Sequence, residues 1–389
     1  MSTIPGQIHQ PLHPSIIPRL DPEYVQFHNA HVAYIVPPHR IPWDAAIRKG
    51  KTVPGSSEPL PVGKVQDFEL EHCRVRAYTP EGTPPEGGWP VFLFFHGGGW
   101  TLGNIASEAT LCTTVCVRAN CVVVSVDYRL APEHPYPAAV DDAVESLEWV
   151  VQTSHTQLGL NLAKIAVGGS SSGGNLAAIL ALKAVSSLPL PHPLLFQVLI
   201  VPVTDCTTTV EFPSDTSADP IIKSDYPSWT ENIHTAWLTP ARMDWFYNNY
   251  LPISSDAQWK SKRAEWTASP ILAPTDLFRN IVKGDKRLKK GTWIGVAEVD
   301  LLRDEGIEYG EKLKKVAKDA IAEGADENDV TDKVEVVVYE AAPHPLMAMD
   351  AVFLLQLFCF TYQPDLSVLS VGKKLVSDVA EALVEAFRG

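Results

Sequence analysis

The chain has 389 residues, of which 45% are hydrophobic and 20% charged, and its formal net charge at pH 7 is -14. This length can bury a large core together with a subdomain, and the composition excludes the disordered, collagen-like and repeat classes. The negative charge disfavours nucleic acid and anionic membranes as partners.

The N-terminus and the cysteines suggest where the protein resides. The first ten residues lack the basic and apolar segments of a secretory signal, and no apolar stretch reaches the length of a membrane span. We therefore expect a soluble, cytoplasmic protein. The six cysteines lack the spacing of a disulfide framework or a zinc site, so we expect buried free thiols and no metal. They are Cys73, Cys112, Cys116, Cys121, Cys206 and Cys359.

Residues 1–62 are rich in proline, which prevents long regular elements. We expect short helices between the prolines and assign this segment to part of a cap. A strand-like stretch at 65–78 follows, and then an unbroken apolar run at 91–95 that is typical of a strand buried on both faces.

Strands and helices then alternate along the chain. Strands are predicted at 121–126, 165–168 and 194–201, and helices at 138–152 and 175–185. This order predicts an α/β fold with a mostly parallel sheet. In the first helix the apolar residues recur every three or four positions, so we expect Asp141, Asp142 and Glu145 to face solvent.

The alternation stops over residues 205–268, which are rich in Trp, Thr, Ser and Pro. We interpret this segment as an insertion that completes the cap. Strands at 292–296 and 333–340 and a helix at 369–387 then resume the pattern. The catalytic domain is thus predicted to comprise residues 63–204 and 269–389.

Three adjacent serines lie between a predicted strand and a helix, in Gly169-Ser170-Ser171-Ser172-Gly173. A tight strand-to-helix turn needs small residues two positions before and after the serine at its apex. Only Ser171 has glycine at both positions. Ser171 is therefore the candidate nucleophile, and a plain glycine turn is the alternative.

The loop His96-Gly97-Gly98-Gly99-Trp100 follows the apolar strand at 91–95. A serine nucleophile needs a base and hydrogen-bond donors for the oxyanion that forms on attack. Consecutive glycines let backbone amides approach a substrate closely. We expect the amides of Gly98, Gly99 and Ser172 to form an oxyanion hole, although a glycine turn that closes a strand would look the same.

These motifs resemble the hormone-sensitive-lipase-like branch of the α/β-hydrolase fold, which includes many carboxylesterases. The resemblance rests on residues 96–100, 128–139, 169–177 and 299–306. It implies a mostly parallel central sheet flanked by helices, with a cap from the N-terminus and the insertion. We expect residues 128–139 to be a structural turn, and His96 and His134 to orient loops.

In this fold the serine, the acid and the histidine follow in that order, each at the end of a strand. Asp300 follows the strand at 292–296 and corresponds to the family's acid. His344 follows the strand at 333–340, where flanking prolines restrict its backbone. The site is thus predicted to contain Ser171, Asp300 and His344.

Two other acidic residues compete with Asp300. Glu298 lies two positions earlier, and some relatives are thought to use a glutamate. Asp304 lies four positions later and is expected to cap a helix that begins near Glu305. The chain also departs from its relatives at Ser170, where an acidic residue often precedes the nucleophile.

The resemblance implies a serine hydrolase that cleaves carboxylic esters with short or medium acyl chains, or acetylated metabolites, through an acyl-enzyme. It implies no metal and no organic cofactor, and a small-molecule ester as the partner. A specialised deacetylase, lactonase, amidase or thioesterase remains an alternative. A non-catalytic small-molecule receptor is less favoured, because His344 is present in register. A homodimer is compatible with the sequence, which does not fix the oligomeric state.

Overall fold

The computed structural model describes residues 6–49, 57–215, 218–252, 258–346 and 370–388. Its strands are β1 (Lys64–Glu69), β2 (Arg74–Thr79), β3 (Trp89–Phe95), β4 (Val122–Asp127), β5 (Leu160–Ser170), β6 (Phe196–Ile200), β7 (Thr209–Glu211), β8 (Ile221–Lys223), β9 (Gly291–Val299) and β10 (Val334–Pro343). Its α-helices are α1 (Pro22–Phe27), α2 (Ala109–Ala119), α3 (Ala138–Trp149), α4 (His155–Leu158), α5 (Ser172–Ser186), α6 (Ser228–Glu231), α7 (Pro240–Tyr250), α8 (Gln258–Arg263), α9 (Thr275–Val282), α10 (Arg303–Ala322) and α11 (Ser370–Phe387).

Eight strands form one sheet in the order β1-β2-β4-β3-β5-β6-β9-β10. Strands β1 and β2 pair antiparallel, as do β2 and β4, while the other neighbours in the sheet are parallel. The predicted fold class, an α/β-hydrolase fold with a mostly parallel sheet, is confirmed. The prediction of one continuous strand-like stretch at 65–78 is wrong, because a turn between Leu70 and Cys73 divides it into two strands.

The core lies on both faces of this sheet, and β3 shows why. Val91, Leu93 and Phe95 pack into one apolar cluster, while Phe92 and Phe94 pack into a second. All five side chains are fully buried. The apolar run at 91–95 is therefore buried on both faces, as its lack of alternation predicted.

The acidic face predicted for α3 is partly wrong. Asp141 is exposed, but Asp142 is fully buried. Its carboxylate accepts hydrogen bonds from the amide of Arg129 at 2.6 Å and from the Arg129 guanidinium at 2.6 and 2.9 Å. A cation from the preceding turn thus allows this acid to be buried within the apolar face of the helix.

The segments assigned to the cap hold short elements. Residues 6–49 form α1 and several single-turn helices, as the prolines predicted, and the insertion forms β7, β8, α6, α7 and α8. The division into cap and catalytic domain stays a prediction. Five cysteines are buried free thiols, as expected, and Cys359 lies outside the described residues.

Candidate active site

Ser171 lies at a sharp turn between β5 and α5. Its backbone has φ 54° and ψ -116°, a conformation that residues with a side chain rarely adopt. The turn depends on the glycines two positions away on either side. A Cβ atom at Gly169 would lie 2.4 Å from the backbone of Gly173, and one at Gly173 would lie 2.0 Å from the carbonyl oxygen of Phe95. These glycines let the turn close around Ser171.

The structure brings Ser171, His344 and Asp300 together. His344 Nε2 lies 2.9 Å from Ser171 Oγ, and His344 Nδ1 lies 2.7 Å from Asp300 Oδ2. All three side chains are buried. An ionised carboxylate can only accept, so Nδ1 donates to Asp300 and Nε2 is left to accept the proton of the Ser171 hydroxyl.

The insertion fixes the end of β9, from which Asp300 projects. Asn232 donates to the carbonyl oxygens of Glu298 at 3.1 Å and Asp300 at 2.8 Å. Thr235 donates to the carbonyl oxygen of Val299. The second carboxylate oxygen of Asp300 accepts from the amide of Leu302 at 3.2 Å. These bonds hold the acid while Oδ2 faces the imidazole.

His344 follows an irregular end of β10. Ala341 has a positive φ of 54°, and the pairing with β9 shifts register between Tyr339 and Pro343. The amide of Ala341 donates to Glu298 Oε2 at 2.7 Å, and its carbonyl oxygen accepts from the amide of Asp21 at 2.9 Å. Residues from β9 and from the N-terminal segment therefore both hold the bend that leads to His344.

Neither alternative acid bonds to the imidazole in the described structure. The Glu298 carboxylate accepts from the backbone of Ala341. The Asp304 carboxylate accepts from the amide of Ser228 and from the Arg303 guanidinium, each at 2.7 Å. The expected cap role of Asp304 is wrong, because α10 already begins at Arg303 and Leu302 occupies the N-cap position.

Gly98 and Gly99 form a tight loop beside Ser171, with φ angles of 127° and 60°. The carbonyl oxygen of Gly98 accepts from the amides of Thr101 and Leu102, which fixes the turn. In the described part of the chain the amides of Gly98 and Gly99 donate to no acceptor. Ser172 is the first residue of α5, where an amide has no acceptor within the helix. In the described part of the chain, the loop and the start of α5 together thus offer three unpaired amide donors.

Helix α7 of the insertion packs directly on this loop. A Cβ atom at Gly99 would lie 2.2 Å from the ring of Phe246, which α7 contributes. The lack of a side chain at residue 99 is what lets α7 approach so closely. The insertion therefore borders the loop that carries Gly98 and Gly99.

His96 and the turn that follows β4 support the loop. The Nδ1 atom of His96 donates to the carbonyl oxygen of Gly97 at 2.7 Å, and its ring stacks on Tyr128 at 4.4 Å. The Tyr128 hydroxyl donates to the carbonyl oxygen of His96 at 2.8 Å. These contacts, and the absence of a bond from His96 to Ser171 in the described structure, agree with the loop-orienting role expected for His96.

One group of metal-ligating side chains occurs among the described residues. The ligand atoms of Cys73, Asp142 and Glu145 lie within 4.8 Å of one another. Arg129 already binds Asp142, and the amides of Glu71 and His72 bind Glu145. Burial also raises the pKa of the Cys73 thiol, which disfavours the thiolate that a metal needs. We assign no metal to this group.

Comparison with known proteins agrees with the fold and with the geometry around Ser171. Residues 92–347 match the family described as "alpha/beta hydrolase fold". The chain belongs to this family. This α/β hydrolase is 38% identical to an AB hydrolase superfamily protein of Schizosaccharomyces pombe, over 97% of each chain. It is 34% identical to the carboxylesterase NlhH of Mycobacterium tuberculosis, over 69% of this chain and 74% of that protein.

Solved structures agree. An esterase of Pseudomonas putida superposes on this α/β hydrolase with a TM-score of 0.71 and 26% identity, covering 96% of this chain and 99% of that one. A hyperthermophilic esterase of Pyrobaculum calidifontis superposes with a TM-score of 0.68 and 26% identity, covering 94% of this chain and 98% of that one. The predicted family and the predicted class of enzyme, a carboxylesterase-type hydrolase, are confirmed. No helix in the described ranges combines the length and apolarity needed to cross a membrane.

Proposed function

We propose that this α/β hydrolase cleaves carboxylic esters by acyl transfer, with Ser171 as the nucleophile, His344 as the general base and Asp300 as the acid that orients the imidazole. The observation that carries the proposal is the continuous hydrogen-bonded chain from Ser171 through His344 to Asp300. A receptor would not need a base hydrogen-bonded to a buried serine. This hydrogen-bonded arrangement therefore supports an enzyme over a receptor.

The reaction starts when His344 Nε2 takes the Ser171 proton and Oγ attacks the ester carbonyl carbon. The carbonyl oxygen becomes an oxyanion, which the amides of Gly98, Gly99 and Ser172 stabilise. Protonated His344 then gives its proton to the departing alcohol. Water, activated by the same imidazole, hydrolyses the acyl-enzyme and releases the acid. The chain itself supplies each of these groups, so the proposed mechanism uses no metal or organic cofactor.

We propose esters of short acyl chains as the substrate class. The ring of Phe246 borders Gly99 and limits the space beside the oxyanion position. An ethyl acetate hydrolase of Pseudomonas putida is 31% identical to this chain, over 62% of this chain and 65% of that protein. A dedicated deacetylase or thioesterase would use the same catalytic groups. A screen that combines p-nitrophenyl esters of C2 to C12 acyl chains with acetylated metabolites and acyl thioesters separates these cases. Location in the cytoplasm and a homodimer stay predictions.

The decisive variant is Ser171→Ala. We expect it to abolish turnover of p-nitrophenyl acetate and labelling by a fluorophosphonate, while circular dichroism stays unchanged. Ser186→Ala is the matched control, because Ser186 is exposed at the far end of α5. Turnover that persists in Ser171→Ala would overturn the assignment.

A further inference from the structure

Glu108 is an acidic residue beside the active site that the proposed mechanism does not use. It immediately precedes α2, yet its side chain makes no capping bond to that helix. Its carboxylate points to the interior, where Oε2 is buried and has no hydrogen-bond partner in the described part of the chain. Burial of a carboxylate lowers the stability of the fold unless hydrogen bonds or an opposite charge compensate for the lost solvation.

The other carboxylate oxygen joins two loops of the active site. Glu108 Oε1 accepts a hydrogen bond from the amide of Gly97 at 2.8 Å and one from the Ser170 hydroxyl at 2.6 Å. Gly97 directly precedes Gly98, which offers a free amide, and Ser170 directly precedes Ser171. One oxygen atom therefore links the residues next to both halves of the site.

We propose that Glu108 is a positioning residue. Through the amide of Gly97 and the hydroxyl of Ser170, it holds the loop that carries Gly98 and Gly99 at a fixed separation from the turn that carries Ser171. This inference rests on the proposed function of Ser171 and Gly98. Glu108 would not touch the substrate, but it would affect kcat, because this separation sets the distance from Ser171 Oγ to the oxyanion donors.

The residue before Ser171 fits this role. Ser170 is fully buried and its hydroxyl donates to Glu108. The side chain at 170 can reach Gly97, since a Cβ atom on Gly97 would lie 2.8 Å from Ser170 Oγ. The acceptor that the Gly97 amide requires comes instead from Glu108, 11 residues later along the chain.

Loss of the carboxylate would leave the Gly97 amide and the Ser170 hydroxyl without this acceptor. Unpaired donors away from solvent are unfavourable, so the two segments would shift to relieve this. Burial raises the pKa of the Glu108 carboxyl, while the bonds from Ser170 and Gly97 lower it. A glutamine retains an oxygen that can accept both bonds, so it separates the need for an acceptor from the need for a charge.

The experiment compares Glu108→Ala, Glu108→Gln and the double variant Glu108→Ala with Ser170→Asp, on p-nitrophenyl acetate. We expect Glu108→Ala to lower kcat by about 10- to 100-fold, because small displacements of reacting groups have effects of this size. KM should change by less than about threefold, since binding of the ester in its ground state does not depend on the distance between Ser171 Oγ and the oxyanion donors. Glu108→Gln should recover most of the loss.

The double variant places a carboxylate at residue 170, within reach of the Gly97 amide. We expect it to regain at least about a third of the wild-type kcat, a recovery that a general loss of stability would not give. Thermal unfolding of each variant is recorded in parallel. If Glu108→Ala does not fold, Glu108→Gln and Glu108→Leu, which matches the size without an acceptor, replace it in the comparison.

Three results would overturn the proposal: wild-type kcat in Glu108→Ala, a folded double variant as slow as Glu108→Ala, or a Gln variant as slow as the Ala or Leu variant. These outcomes are distinct from failure of the proposed function. In that case Ser171→Ala itself would remain active, whatever residue 108 is.

Discussion

The carboxylate of Glu298 accepts a 2.7 Å hydrogen bond from the amide of Ala341, three residues before His344. Glu298 competes with Asp300 for the role of the acid in the sequence. In the structure it supports the base through the backbone, while Asp300 contacts the imidazole itself. The two carboxylates thus act on the same histidine in different ways.

This difference predicts unequal effects of neutral variants. Asp300→Asn should lower kcat by about 10⁴-fold, because the amide favours the wrong imidazole tautomer. Glu298→Ala should lower kcat by about tenfold, which corresponds to about 1.4 kcal/mol for one hydrogen bond, and Glu298→Gln should lose less. The measurement is kcat for p-nitrophenyl acetate at saturation. A larger loss in Glu298→Gln than in Asp300→Asn would reverse the assignment.

Gly98 and Gly99, which the proposed mechanism places in the oxyanion hole, should differ in whether a second substitution rescues their alanine variants. At Gly98 the new Cβ would lie 2.2 Å from the carbonyl oxygen of Leu102, which is backbone, while at Gly99 it would meet the side chain of Phe246. Alanine keeps the amide, but the clash moves it out of place, so we expect each variant to lower kcat by about 10²- to 10³-fold, as removal of an oxyanion donor does. Phe246→Ala should restore part of the activity of Gly99→Ala and none of that of Gly98→Ala.

Gly324→Ala is the control for these glycines. Gly324 has a similar positive φ of 94°, with no atom within 4 Å of the position that a Cβ would take. It should cost about 1 kcal/mol of stability from strain alone and leave kcat unchanged. Equal kcat losses at all three positions would show that strain, and not the site, causes the effect.

The ion pair between Arg129 and the buried Asp142 should matter for stability. Asp142→Ala leaves the Arg129 guanidinium without its partner, and we expect the free energy of unfolding to fall by about 3–5 kcal/mol. Asp141→Ala, one residue earlier on the exposed face, should change it by less than about 0.5 kcal/mol. Urea titration followed by tryptophan fluorescence measures both. Similar values for the two variants would contradict the structural role of the pair.

Glu305 should make the stability depend on pH. Burial raises the pKa of this carboxyl well above its usual range, and the neighbouring Asp205 raises it further. Above the unfolded value of about 4.3, the folded chain holds a proton that the unfolded chain releases. The free energy of unfolding should therefore fall as pH rises from this value towards the folded pKa.

Glu305→Gln removes that titration, so the stability of the wild type relative to this variant should decrease between pH 5 and pH 8. Urea titrations at several pH values give the difference. Glu308→Gln, on the exposed face of the same helix, should leave the pH dependence of the wild type unchanged. A constant difference between wild type and Glu305→Gln would show that Glu305 is ionised in the fold.

The sequence predicted what local patterns determine. Ser171 could be chosen from three serines because the spacing of two glycines is a property of five consecutive residues. Asp300 and His344 could be located because the family that the chain resembles places its acid and then its histidine at the ends of late strands, and such ends meet at one edge of a parallel sheet. The structure brings all three within hydrogen-bond distance, and their catalytic roles stay a proposal.

Other features depend on packing between distant segments. Helical spacing identified the apolar face of α3, but it could not show that Arg129 would cover Asp142. Glu108 has no motif, and its two partners come from different loops. The unusual Ser170 was the one signal in the sequence, since a missing acid suggests that another residue takes its place.

The bond from Asp21 to the carbonyl oxygen of Ala341 joins an early part of the chain to a late one. During synthesis at about 5–20 residues per second, Asp21 waits roughly 15–60 s before its partner has been made. Until then a nascent chain carries Ser171 without His344, and its N-terminal segment has no bend on which to dock. Under the proposed mechanism, a ribosome stalled before β10 therefore holds a chain that cannot hydrolyse esters.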